Sequence, residues 1–214
     1  MYNGFMKTII EDIKTGQFKN VYLLYGEEAY LIRQYRDKLK DALTVQGDTM
    51  NVSFFSGKDV NPKELIDLSE TMPFFAERRC IFVDGSGFFK KSTEELAAYI
   101  EEIPATSCFV FTEQEVDKRG KLYKQVKKCG RAVEFRRQPE SVLMQWILGR
   151  LNREGKKITR SVMELFLSRT GNDMELIDAK TILSSYTDKG WFGAHYRGSG
   201  CGSCLRQSGF RKDF

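Results

Sequence analysis

Val21-Tyr22-Leu23-Leu24-Tyr25-Gly26-Glu27-Glu28-Ala29-Tyr30-Leu31-Ile32-Arg33 joins a short unbroken apolar run to a glycine turn and then to an amphipathic segment. Five apolar residues without polar alternation suit a strand covered on both faces, as in a parallel sheet. From Ala29 to Leu43 the apolar positions Leu31, Ile32, Tyr35 and Leu39 follow helical spacing. Similar short runs recur at Val52–Phe55, Cys80–Val83, Cys108–Phe111 and Ala132–Phe135. Helical segments fit between and before them. Phe5, Met6, Ile9, Ile10 and Ile13 form a stripe that stops at Gly16. Asn61-Pro62 opens another helix, and Ser92-Thr93-Glu94-Glu95 reads as a capping box. A further helix runs from Lys118 to Cys129, with Gly130 closing it. Five strands alternating with helices predict an α/β domain with a mostly parallel sheet. The pattern does not encode strand order.

A strand, a glycine turn and a helix form the place where nucleotide-binding domains put G-x-x-x-x-G-K-S/T. Here Gly26 is followed by Glu27 and Glu28, with no second glycine, no lysine and no hydroxyl for magnesium. Two carboxylates there would repel a triphosphate. Asp84 ends a strand where a metal-linked carboxylate would sit, without an acidic neighbour. The expectation is a nucleotide-binding architecture without ATP hydrolysis and without a cofactor.

After Arg136-Arg137-Gln138-Pro139 the pattern changes. Val142, Trp146, Ile147 and Leu151 form one helical stripe, and Val162, Leu165 and Phe166 form another, with Gly155 and Gly171 as punctuation. The chain thus reads as residues 1–139, an α/β domain, then residues 140–186, a small all-helical module, then residues 187–214. That last stretch has six glycines, scattered aromatics and no period, so little offsets its ordering entropy.

Hydrophobic residues make up 41% of the 214 and charged ones 29%, which predicts a soluble globular chain. No apolar run approaches the roughly 20 residues that span a bilayer. Glu11 and Asp12 follow the first amphipathic stretch closely, unlike a secretory signal. Cys80, Cys108 and Cys129 are scattered, as in a reduced, cytoplasmic protein. The net charge of +5 is uneven: Asp117 to Arg160 holds fourteen Lys/Arg against four Asp/Glu, and the remainder is net acidic.

Thr71-Met72-Pro73-Phe74-Phe75-Ala76-Glu77-Arg78-Arg79 places three large apolar side chains around a helix-breaking proline. Buried, each is worth roughly 1.5–3 kcal/mol. They either plug the domain's own core or form a hot spot for a partner. Ordinary burial preferences of Met and Phe favour the core.

Together these segments resemble the delta subunit of bacterial DNA polymerase III, the clamp-loader subunit that opens the sliding clamp. The resemblance rests on Val21 to Ile32, on Met72 to Arg79, on Val116-Asp117-Lys118-Arg119-Gly120-Lys121-Leu122-Tyr123-Lys124, and on the helices from Trp146 to Ile177. Each motif is diffuse, but their order and spacing agree over about residues 5–186. The resemblance implies an AAA+-like first domain lacking a functional P-loop, a small helical lid, and then a helical collar. It implies an apolar clamp-binding wedge, carried here by Met72, Phe74 and Phe75. It also implies a subunit with no catalytic site of its own inside a DNA-directed DNA polymerase (nucleotidyltransferase) holoenzyme. The implied partners are the sliding clamp (beta subunit), other loader subunits and primed DNA. The competing readings are a nucleotide-binding ATPase and a general basic nucleic-acid-binding module.

No segment of the sequence reads as the collar, so a departure from the family there is expected. From Ala194 onward the sequence can be reread one nucleotide later, with permitted codons, as an amphipathic string beginning H-I-T-E-E-V-D. Thr187–Phe214 is therefore expected to be a frameshifted product, which the nucleotide sequence would test. Cys201-Gly202-Ser203-Cys204 has the spacing of half a zinc site, but His195 is the lone histidine and no second pair exists, so no metal site is expected. The single histidine and the absence of a recognisable Ser/His/Asp set argue against hydrolytic catalysis. Lys118, Arg119, Lys121, Lys124, Lys127 and Lys128 are candidates for DNA phosphate or subunit contact, against the alternative of a solvated helix face.

Overall fold

A computed structural model describes residues 4–91 and 93–179. Helix α1 (Gly4–Thr15) leads into β1 (Val21–Tyr25), α2 (Ala29–Leu43), β2 (Val52–Ser56) and α3 (Pro62–Glu70). Then follow β3 (Arg79–Asp84), α4 (Glu94–Tyr99), β4 (Ser107–Glu113), α5 (Lys121–Cys129) and β5 (Arg131–Glu134). Helices α6 (Glu140–Arg153) and α7 (Arg160–Thr170) complete the series. The chain divides after Leu143 into two compact units.

In the first unit five parallel strands form one sheet in the order β2-β3-β4-β1-β5. The central strands β1 and β4 are buried at every position and β3 at all but its last. That explains their unbroken apolar sequences, because helices exclude water from both faces. The edge strands β2 and β5 are only partly buried and carry Ser53, Arg131 and Glu134. Leu23, Ile81, Phe109 and Phe111 lie in the core, where the Phe109 and Phe111 rings stack at 5.7 Å and Phe89 meets Phe111 edge-on at 5.4 Å.

Helix α1 is tied to the sheet by one carboxylate. Asp12, 4% exposed, accepts from Arg131 Nε at 3.1 Å and Nη2 at 3.0 Å, and from the Tyr22 hydroxyl at 3.0 Å. Tyr22 accepts in turn from the Lys19 amide, and burial pushes its phenol far above the ordinary range.

Several local expectations need correction. The helix expected from Lys118 starts at Lys121. Asp117 instead makes a turn, accepting the Arg119 amide on its carboxylate at 2.9 Å and the Gly120 amide on its carbonyl at 3.0 Å. Such a side-chain bond competes with the first helical turn. The capping box expected at Ser92-Thr93-Glu94-Glu95 turns on Ser92, which lies outside the described residues; Thr93, next to α4, donates its hydroxyl to the Phe88 carbonyl at 3.4 Å. Gly130 does close α5, but with φ −135°, not in the left-handed cap conformation. It is glycine because a Cβ there would come within 3.0 Å of the Val21 carbonyl oxygen.

In the second unit, α6 and α7 are joined by residues 154–159, and residues 174–179 are again helical. Trp146, Ile147 and Leu151 are buried on α6 as expected. Phe166 on α7 is buried as expected too, whereas Val142, Val162 and Leu165 are half-buried and their neighbours Met163 and Leu167, with Leu143 at the end of the first unit, are buried instead. Neighbouring apolar positions made the phase ambiguous. Arg150 reaches Asp178 at 2.5 Å and lies over the Trp146 ring.

Candidate functional site

Asn61 caps α3 by accepting the Lys63 amide at 3.0 Å, with Pro62 in the first turn where it loses no hydrogen bond. The helix stops at Glu70, and the chain then crosses to β3 by a loop that carries Met72, Pro73, Phe74 and Phe75. Met72 is 77% exposed, Phe74 57% and Phe75 95%. None of the three packs in the core. The two rings meet edge-on at 4.6 Å, and Phe75 has φ +50°, a left-handed conformation that bulky residues avoid.

This loop is held from beneath by two buried side chains. Arg79, at the start of β3, donates to the carbonyls of Thr71, Met72 and Met50, each at 3.2 Å. Asn51 accepts from the Phe74 amide at 2.6 Å and donates to the Phe74 carbonyl at 2.9 Å. The turn before β2 adds a third partner: Asp48 accepts from Asn51 Nδ2 at 2.9 Å and from the Met50 and Asn51 amides at 3.0 Å. Asn51 and Asp48 were not singled out from sequence. The one available signal was an Asp-x-x-Asn turn immediately before a strand, which names no distant partner.

At the other end of the sheet, where a phosphate loop would lie, the backbone is already occupied. The Gly26 amide donates to the Glu113 carbonyl and the Glu28 amide to the Phe135 carbonyl, both at 3.1 Å. Gly26 has φ +130°, and a Cβ there would come within 3.0 Å of the Phe135 carbonyl oxygen. Asp84 is bound by Arg36 of α2 and by the Thr112 hydroxyl, both at 2.6 Å. Glu113 accepts from Ser86 at 2.7 Å and the Gly87 amide at 2.9 Å; burial pushes its carboxyl up against the pull of those bonds. A cleft of about 510 Å³ remains above these strand ends, lined by Arg33, Arg36, Lys58, Asp84 and Lys90 among others. An amide already bonded to a carbonyl cannot also cradle a phosphate.

All six basic candidates around α5 are exposed. Four are in ion pairs: Lys118 with Glu134, Arg119 with Asp117, Lys121 with Glu94 and Lys128 with Glu101. Exposed pairs of this kind are worth about 0–1 kcal/mol and can be given up to a stronger anion. Among the described residues no cluster of His, Cys, Asp and Glu is arranged to hold a metal, and no helix is long and apolar enough to cross a membrane. Cys201, Cys204, His195 and the proposed frameshift all lie outside the described residues.

A parallel sheet in the order β2-β3-β4-β1-β5 gives an α/β protein with an AAA+-like fold, in which the amides at the phosphate-loop position are bonded to the chain itself. The Bacillus subtilis DNA clamp loader delta protein superposes with a TM-score of 0.66 at 23% identity, over 84% of this chain and 56% of that one. A gamma subunit-related protein of DNA polymerase III from Thermotoga maritima gives 0.52 at 14% identity, over 85% of this chain and 57% of that one. In sequence, the family model for DNA polymerase III, delta subunit, matches residues 22–136, and this chain belongs to that family. The Bacillus subtilis (strain 168) DNA polymerase III subunit delta is 30% identical over 130 residues, 55% of this chain and 38% of its own length. A probable DNA polymerase III subunit delta from Aquifex aeolicus (strain VF5) is 26% identical over 171 residues, 74% of this chain and 47% of its own. The chain thus spans less than half the length of these two curated relatives.

Proposed function

We propose that this chain is a non-catalytic clamp-loader subunit that binds a sliding clamp through Met72, Phe74 and Phe75 and holds one ring interface open. The observation that carries this reading is their exposure on a loop whose Met72 carbonyl and Phe74 amide and carbonyl are bonded from beneath. Water-exposed Met and Phe side chains at a fixed site gain about 1.5–3 kcal/mol each on entering an apolar pocket. A rigid base also loses little ordering entropy on docking, and such a cluster has the form of a binding hot spot. In this reading residues 1–139 form the clamp-binding domain and residues 140–186 a helical lid. Other loader subunits of the DNA polymerase III holoenzyme are its partners, in the cytoplasm. The bonded amides after β1 weigh against the rival reading, an ATPase.

The test is binding of the chain to a purified bacterial sliding clamp, beside Met72→Ala/Phe74→Ala/Phe75→Ala. The triple variant is expected to keep its fold and lose at least 100-fold in affinity. Equal binding by both proteins would end the clamp reading.

Contact with primed DNA is proposed for the exposed basic surface of α5, where Lys124 and Lys127 stand among the paired lysines. Lys124→Glu/Lys127→Glu is expected to weaken primed-DNA binding about tenfold at low salt and to flatten its salt dependence. An unchanged salt slope would leave α5 as a solvated face.

A further inference from the structure

We infer that Asn51 is a positioning residue for the docking loop: its side-chain amide grips the Phe74 peptide and so fixes where the Phe75 ring stands. This rests on the clamp-docking reading of Met72, Phe74 and Phe75.

Asn51 is 3% exposed, and both ends of its amide are used. Oδ1 takes the Phe74 N–H, while Nδ2 gives its protons to the Phe74 carbonyl and to Asp48. One side chain therefore satisfies both polar groups of one residue, as a neighbouring strand would. The grip is anchored to the sheet, since the Asn51 carbonyl accepts the Cys80 amide at 2.8 Å beside the first β2–β3 register pair. It is also oriented: Asp48 can only accept when ionised, so it sets which way the Asn51 amide faces. Hydrogen bonds from Asn51 hold the Asp48 carboxyl below the usual carboxylate range.

Phe75 makes clear what the grip is for. A left-handed φ is costly for an L residue and persists only where its surroundings impose it. Arg79 fixes the loop before the strained residue through the Thr71 and Met72 carbonyls, and Asn51 fixes the residue just before it. The Phe75 side chain itself is 95% exposed and cannot supply that restraint. A tie serving the fold alone would be expected to draw Phe74 inward, yet the ring stays 57% exposed above a peptide that is fully bonded. Polar bonds from below thus hold an apolar surface outward in advance of its partner, which lowers the ordering cost of docking.

Asn51→Ala and Asn51→Asp test this in the full chain. Asp keeps an acceptor for the Phe74 amide but loses both donor bonds and sets a second carboxylate against Asp48. Three readouts are needed: thermal stability, chymotrypsin cleavage after Phe74 and Phe75 under native conditions, and affinity for a bacterial sliding clamp. Both variants are expected to be cleaved about tenfold faster and to bind about tenfold more weakly at temperatures where both are fully folded. Neither substitution should weaken binding further in the Met72/Phe74/Phe75→Ala background. A lower Tm with parental cleavage and affinity would make Asn51 a purely structural residue and overturn the inference. If the triple-alanine protein binds the clamp as the parent does, the docking reading falls, while the cleavage rates still decide whether Asn51 restrains the loop.

Discussion

Asp12→Ala is expected to lower the stability of the protein by about 3–5 kcal/mol, the range for removing one partner of a buried ion pair. The carboxylate is almost wholly enclosed and takes three hydrogen bonds, two from Arg131 on β5 and one from Tyr22 on β1. Its loss leaves the buried Tyr22 hydroxyl without an acceptor, at about 1–3 kcal/mol. The Arg131 side chain, 34% exposed, can turn partly to water, which draws the total toward the lower end. Tyr22→Phe removes one of the three bonds and should cost only about 1 kcal/mol. Urea unfolding of Asp12→Ala, Arg131→Ala and the double variant measures the pair directly. The double variant should be much less unstable than the sum of the singles, because the second removal no longer strands a partner. Additive single effects would mean that the Asp12–Arg131 pair contributes nothing to holding α1.

Gly26→Ala and Gly130→Ala are expected to destabilise by about 3 kcal/mol or more for a single added methyl. At both positions the new Cβ would come within 3.0 Å of a backbone carbonyl oxygen, Phe135 for Gly26 and Val21 for Gly130. Neither carbonyl can retreat cheaply. Phe135 accepts the Glu28 amide and gives its own amide to Tyr25 at 2.7 Å, and Val21 belongs to the central strand β1. Overpacking usually costs about 1–3 kcal/mol, and blocking a strand-end contact belongs at or above that limit. Gly26 adds the strain of φ +130°. A loss of about 3 kcal/mol corresponds to a Tm drop of roughly 6–12 °C in a chain of this size. Gly149→Ala on α6 is the internal comparison. Its Cβ would meet nothing within 4 Å, so helix propensity should make the change neutral or stabilising by up to about 1 kcal/mol. Thermal unfolding of the three variants suffices, and equal Tm values for all three would refute the close-packing account.

The two glycines also show how sequence and structure divide the explanation. Gly26 is legible as a turn between Tyr25 and Ala29, yet its necessity comes from Phe135, more than a hundred residues away. Gly130 reads as a helix cap and is one, but it must be glycine because a Cβ there would meet Val21. Where α5 starts at Lys121 and not Lys118, and where Leu143 and not Val142 is buried, a side-chain bond or a neighbouring apolar residue tips a near-even local choice.

Sequence by itself determined the five strands, the two-sided burial of the central ones β1, β3 and β4, and the missing phosphate-loop chemistry. Each of these is written in consecutive residues: unbroken apolar runs, and glutamates where a lysine and a hydroxyl would be needed. It also named Met72, Phe74 and Phe75, but could not say whether they turn inward, since Met and Phe gain from burial in either a core or a partner. Tertiary structure alone decided that they stand outward, that strand β2 takes the edge, and that Asn51 and Arg79 reach across to the loop. Those outcomes depend on which distant segments become neighbours, and hydrogen bonds spanning 23 residues leave no period in the sequence.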